Sequence, residues 1–119
     1  MSYDISLIHR VGRMPLRLSE PHHMHGGTYA VGGEHRATLN ITYNYAPSFQ
    51  KAFGCREGVR SMYGLSGAES IPILKAAIAG LGDDVDPDYW KHTEGNAKSA
   101  LFQLMALAIM RPDGEWEGD

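Results

Sequence analysis

Thr38-Leu39-Asn40-Ile41-Thr42-Tyr43-Asn44-Tyr45-Ala46-Pro47 decides the fold, because the hydrophobic period changes inside it. Up to Tyr45 the side chains alternate: Leu39, Ile41, Tyr43 and Tyr45 point one way, Thr38, Asn40, Thr42 and Asn44 the other. A period of two is a β-strand with one face on a core and the other on solvent or a ligand. Pro47 suits a first helical position, where a missing N–H is tolerated. Phe49 and Phe53, four apart, then share a helix face, and Gly54 stops that short helix.

Upstream of this switch the chain reads as β. Tyr3, Ile5 and Leu7 alternate with Asp4, Ser6 and Ile8, which predicts a strand. Val11-Gly12-Arg13 reads as a turn into a returning strand over Met14 to Leu18, with Pro15 confined to an edge. Residues 19–27 are polar and read as a loop. Thr28 to Val31 is a β-prone island between Gly26-Gly27 and Gly32-Gly33, and is expected to form a hairpin with the Thr38 strand.

Downstream the chain reads as helix. Gly58 to Leu65 allows one or two helical turns. Ser66-Gly67-Ala68-Glu69 fits a capping box, followed by the stripe Ile71, Leu74, Ile78 and Leu81. Pro72 is expected to kink this helix or move its start to Ser70. Gly80 and Gly82 supply the stop. Asp86-Pro87-Asp88-Tyr89-Trp90 predicts one helical turn that plants both aromatic rings on the core. The last helix runs from about Gly95 to Met110, and from Ala100 onward its only polar residue is Gln103. A helix apolar nearly all round is central to its fold or shared with another subunit. A homodimer through residues 96–110 is therefore expected. The resulting fold class is α+β, a small antiparallel sheet from the N-terminal third packed against a C-terminal helical pair. One domain is expected over residues 1–119: mainly β with Gly/His-rich loops over 1–45, mainly helical over 46–111, and an acidic tail over 112–119 whose Trp116 packs back on the domain.

Composition narrows the class. The chain is 119 residues long, with 43% hydrophobic and 21% charged residues, values that suit a globular protein and not a disordered one. The single cysteine, Cys55, leaves no internal disulfide framework. No basic region precedes an apolar run near Met1, and no apolar stretch is long enough to span a membrane, so a cytoplasmic location is expected. Net charge is −3, divided as +3 over residues 1–60 and −6 over residues 61–119. Such a dipole could steer an anionic ligand toward the N-terminal half or favour head-to-tail self-association, or it reflects no more than two solvated surfaces, and +3 is too weak for a nucleic-acid footprint.

Four segments carry a resemblance: Asn40-Ile41-Thr42-Tyr43-Asn44-Tyr45, Gly67-Ala68-Glu69-Ser70-Ile71-Pro72, Thr93-Glu94-Gly95-Asn96-Ala97-Lys98 and Met110-Arg111-Pro112-Asp113-Gly114. Over residues 38–119 the chain resembles small bacterial and prophage-borne proteins without an assigned activity. The resemblance implies a bacterial host cell and a protein that blocks a host defence system. It implies no catalytic residue.

The chemistry-bearing residues lie mostly before position 45. His22, His23 and His25 could ligate a divalent transition metal through imidazole nitrogen, although their spacing matches no standard metal motif. Asp84, Asp86 and Asp88 open like a calcium loop, but Tyr89 stands where the glycine belongs, and helix capping explains them better. Cys55 beside Arg56 has no histidine placed near it by the sequence, and no serine elbow or metalloprotease motif is present. The remaining candidate is a ligand site built from Gly26, Gly27, Tyr29, Gly32, Gly33, His35, Arg36, Asn40, Thr42 and Asn44. Glycines let backbone N–H groups approach a phosphate, Arg36 neutralises it, and a tyrosine ring stacks on a base. The expected function is non-catalytic: sequestration of an anionic, nucleotide-like signal or binding of a host effector protein, with no resident cofactor. The alternative is a small metal protein or enzyme using the N-terminal histidines.

Overall fold

A computed structural model of the chain describes every residue except His25 and Tyr29. Five strands and three α-helices follow in order: β1 (Ser2–Ile8), β2 (Arg17–His22), β3 (Glu34–Arg36), β4 (Thr38–Thr42), α1 (Ala46–Phe53), α2 (Gly67–Ala79), α3 (Glu94–Met110) and β5 (Glu115–Gly118). The fold is α+β, with a small antiparallel sheet from the N-terminal strands packed against the C-terminal helices. No helix among the described residues is long and apolar enough to cross a membrane.

The main sheet has the order β4-β1-β5, antiparallel throughout. Tyr3, Ile5 and Leu7 of β1 and Leu39 and Ile41 of β4 are all buried, so the alternating residues of both strands supply one core face. The acidic tail is the third strand: Leu7 lies opposite Trp116 and Ile8 opposite Glu115. Trp116 is 1% exposed. Its indole N–H donates to Ser70 Oγ at 2.7 Å, and the Ser70 hydroxyl donates on to the Gly67 carbonyl at 2.7 Å.

The helices form where their local signals lie. α1 ends at Gly54, whose φ of 68° is the left-handed stop the sequence suggests. Both arms of the capping box are present in α2: Ser66 Oγ accepts from the Glu69 N–H at 3.0 Å, and Glu69 accepts from the Ser66 N–H at 2.9 Å. That box fixes the start at Gly67, so Pro72 neither ends the helix nor moves its start to Ser70. Thr93 caps α3 by accepting from the Asn96 N–H at 3.0 Å. Leu101, Leu104 and Leu107 are fully buried, while Phe102, Ile109 and Met110 remain exposed.

Several local expectations fail, and longer-range contacts decide most of them. Among the described residues of the Thr28 island none pairs with the Thr38 strand as a hairpin, and Tyr29 lies outside the described residues. β3 pairs instead with β2 in a separate two-stranded sheet, and residues 19–22, read as loop, belong to β2. Three backbone bonds tie this second sheet to the first: Leu7 N–H to the Ala37 carbonyl at 2.9 Å, and Leu16 to Leu7 and Ala37 to Leu16 at 2.8 Å each. The returning strand after the turn therefore touches β1 at Pro15 and Leu16 before leaving to join β3. β4 stops at Thr42 because the threonine hydroxyl accepts from the Asn44 N–H at 3.1 Å and opens a 3-10 turn over Tyr43–Tyr45. The Asp86 segment forms side-chain-capped turns instead of a helix, with Asp86 accepting from the Asp88 N–H at 2.8 Å and Asp88 from the Trp90 N–H at 3.0 Å. Tyr89 reaches the core, but Trp90 stays 51% exposed.

The Trp116 contacts make a direct stability test. Trp116→Phe keeps one aromatic ring but removes the pyrrole ring with its N–H, and should destabilise the protein by about 1–3 kcal/mol. Trp116→Ala should cost about 3–5 kcal/mol through the cavity it leaves. Urea unfolding monitored by circular dichroism measures both; two variants as stable as the wild type would show that β5 is dispensable.

Candidate functional site

The sequence candidates gather only in part. A polar concavity of about 210 Å³ lies between β2, β3 and β4, with Asp4, His22, Glu34, Arg36, Thr38 and Asn40 in its lining. Arg36 and Asn40 are thus brought together as the sequence suggests, and His22 joins them. Gly32 and Gly33 form the turn before β3, where the Gly33 N–H bonds the Ala30 carbonyl at 2.9 Å. Gly26 and Gly27 cross the outer edge of β4, the Gly27 N–H bonding the Asn40 carbonyl at 3.3 Å. A Cβ at Gly26 would overlap that carbonyl oxygen, so only glycine allows the crossing. His35 is exposed and outside the lining. Thr42 is buried under the Tyr89 hydroxyl, which accepts its N–H at 2.8 Å, and Asn44 donates to the Trp90 carbonyl at 2.8 Å. Those two residues belong to the joint between β4 and the Asp86 turn, on the far side of the Gly26-Gly27 crossing. Tyr29 lies outside the described residues.

His22 is the residue the sequence ranked only as a metal ligand. It sits opposite Glu34 across the β2–β3 pair and is 9% exposed. Its Nε2 donates to the Thr38 carbonyl at 3.1 Å, which leaves Nδ1 as a buried acceptor without a partner among the described residues. Buried polar atoms are nearly always paired, so an orphan beside a concavity marks a place for a ligand donor. As a metal triad the histidines find no support in position: Nε2 of His22 is engaged, His23 is exposed, and His25 lies outside the described residues. Among the described residues no three His, Cys, Asp or Glu side chains converge on a point where a metal could sit.

The electrostatics differ from the sequence expectation. Arg36 is clamped by Glu34, with Nε to Oε1 at 2.9 Å and Nη2 to Oε2 at 3.2 Å, while the Arg36 backbone N–H gives a third bond at 3.0 Å. These bonds, the side-chain pair foremost, hold the Glu34 carboxyl down at about 2. The Asp4 carboxylate on the same wall accepts from Asn40 Nδ2 at 2.6 Å. Two carboxylates and one neutralised guanidinium face the space, which therefore suits a neutral, hydrogen-bonding group better than a phosphate.

One pairing has no sequence signal at all. Ser48 Oγ and His92 Nε2 lie 2.8 Å apart, although 44 residues separate them. A serine nucleophile needs its histidine oriented by a third group. Among the described residues none bonds His92 Nδ1, and the nearby carboxylates are committed: Asp84 to the Gly95 N–H at 3.1 Å, Glu94 to Gly82 at 2.8 Å and Lys51 at 2.7 Å. The Ser48–His92 contact ties α1 to the segment preceding α3.

The Glu34–Arg36 clamp predicts an acid response. A carboxyl lowered in the folded state contributes stability above its ordinary value of 4.5, and loses it as pH falls toward about 2. Hydrogen exchange at the β3 amides should accelerate over that window, and Glu34→Gln should make the exchange fast and pH-independent there once intrinsic rates are divided out. Equal protection factors in both proteins would mean the clamp does not hold β3. No family of known proteins, no curated protein and no solved structure matches the chain.

Proposed function

We propose that this protein is a non-catalytic binder that sequesters a small nucleotide-like molecule in the concavity between β2, β3 and β4. The observation that carries the reading is the Nδ1 of His22, without a partner among the described residues and buried beside a polar space that also holds Asn40 and Asp4. A ligand N–H or O–H would satisfy the histidine, and Asp4 would accept a second donor. With Arg36 closed by Glu34, recognition falls on the base or sugar of the ligand and not on its phosphate. A volume of about 210 Å³ is below the roughly 300–1,000 Å³ of drug-sized sites, which fits one ring or sugar and not a whole dinucleotide. The resemblance to prophage-borne proteins supplies the setting: removal of a defence signal in the cytoplasm of a bacterial host.

A second reading rests on Phe102, Ile109 and Met110, which are 49%, 58% and 45% exposed along α3. Large apolar groups on one helix are covered at a subunit interface, so a homodimer through residues 96–110 is proposed. A host effector protein seated on the same face is the competing occupant.

Thermal unfolding across a panel of nucleosides and their 5′-phosphates tests the first reading. Saturation at a hundredfold excess over Kd would stabilise by about 2.7 kcal/mol. A nucleoside should raise the midpoint, its phosphate should add nothing, and His22→Phe should abolish the shift. A panel without any response ends the small-ligand reading. For the second, light scattering should give twice the chain mass, falling to the monomer in Phe102→Glu. A wild-type monomer ends the homodimer.

A further inference from the structure

A second concavity lies on the other side of the Gly26-Gly27 crossing, between α3, β4 and the Asp86 turn. Its volume is about 180 Å³, with Ile41, Tyr45, Pro87, Tyr89 and Ala100 among its walls and Gln103 at its lining. The walls are mostly apolar, and their polar groups are almost all engaged within the protein. The Tyr45 hydroxyl donates to the Tyr89 carbonyl. The Tyr89 hydroxyl accepts the Thr42 N–H at 2.8 Å. Asn96, 6% exposed, uses its whole amide: Oδ1 accepts the Asp86 N–H at 2.9 Å, and Nδ2 donates to the Asp88 and Lys91 carbonyls at 3.0 and 3.1 Å. Ser99 donates to the Gly95 carbonyl at 3.1 Å, and Asp86 pairs with Lys91 at 3.4 Å.

Gln103 is the exception. It is the only polar residue from Ala100 to Met110, it is partly buried, and its amide, which keeps contact with solvent, has no hydrogen-bond partner among the described residues. An amide offers donors and an acceptor side by side, and so matches a partner edge that does the same. The space around it is apolar and bordered by two tyrosine rings whose centroids are 5.6 Å apart. The one charged side chain in the lining, Asp86, is already neutralised.

We propose that this concavity binds an uncharged planar heteroaromatic ring of nucleobase size, with its hydrogen-bonding edge on Gln103 and its faces against Pro87 and Tyr89, lining residues that keep exposed surface. The site is separate from the polar concavity, which lies across the Gly26-Gly27 crossing. It therefore stands or falls without the function proposed above. A lone ring offers few atoms for contact, so affinity for an isolated base is on the order of millimolar.

Adenine is the probe, titrated into nitrogen-15-labelled protein and followed by the amide resonances. The expected result is a saturable shift at Gly26, Tyr89, Ala100 and Gln103. Gln103→Leu keeps the bulk of the side chain, removes both kinds of hydrogen bond and should weaken adenine about tenfold. Ser99→Trp, at an exposed position on α3, should fill the mouth and abolish the shifts while the remaining spectrum stays folded. His22→Phe tells the two concavities apart. Adenine shifts lost in His22→Phe but retained in Gln103→Leu would place the ring in the polar concavity and overturn this assignment. No adenine shift near α3, or shifts unchanged in both α3 variants, would overturn it as well.

Discussion

The hydrogen bond from the Trp116 indole to Ser70 joins the last strand to the first turn of a helix, and much of the molecule is organised around it. Ser70 is fully buried, so its hydroxyl needs both a donor and an acceptor, and Trp116 and the Gly67 carbonyl supply them. Backbone bonds run on either side: the Trp116 N–H to the Leu65 carbonyl and the Gly64 N–H to the Trp116 carbonyl, both at 2.9 Å. These contacts seat β5 beside β1 and at the same time hold the capping box of α2 against the sheet. A Cβ at Gly67 would stand 2.8 Å from the Arg111 carbonyl, so α2 begins hard against the end of α3. The sheet, the start of one helix and the end of another are thus fixed in one place.

The opposite edge of the sheet is closed by a different device. β4 is an edge strand, and its outward backbone groups would template pairing with another chain if left bare. Gly27 takes the Asn40 carbonyl and the Tyr89 hydroxyl takes the Thr42 N–H, so the edge is capped by a glycine crossing and a phenol instead of a strand. Tyr89 is held in turn by the Tyr45 hydroxyl on its carbonyl, and Asn96 fastens the turn that carries it. Both concavities are by-products of this cover. A crossing only two glycines wide leaves space on either side, polar toward β2 and β3, apolar toward α3.

What could be read from the sequence follows the range of the interactions involved. The capping box, the Gly54 stop and the alternation of β1 and the first part of β4 act over two to four residues, and each forms where expected. The end of β4 was a close contest: threonine suits a strand, but Thr42 also caps the turn that follows, and capping prevails. The pairing of β2 with β3 was not readable, because it depends on Leu7, Leu16 and Ala37 exchanging backbone bonds over separations of nine to thirty residues. Of the expected ligand residues, Arg36 and Asn40 share a wall, while Thr42 and Asn44 turn to the other side because the strand ends between them. His22 gained its place through burial, which a run of three histidines within four positions does not announce. The Ser48–His92 contact joins segments with no pattern in common.

Charge decides between the chemistries that remain. The sequence offered an arginine beside glycine turns, the usual ingredients of a phosphate cradle. Glu34, two residues from Arg36 and therefore on the same face of one strand, takes that arginine first. A bidentate pair uses the planar fork that a phosphate would need, and opening it would leave a carboxylate facing the incoming anion. Asp4 adds a second negative charge on the same wall. An anion would then have to displace an internal partner and approach two carboxylates, whereas an uncharged donor directed at the buried Nδ1 of His22 has no ion pair to displace. The physical preference is for the heterocyclic or sugar end of a nucleotide, and the same holds on the far side of the glycine crossing, where Gln103 waits with an amide and no charge.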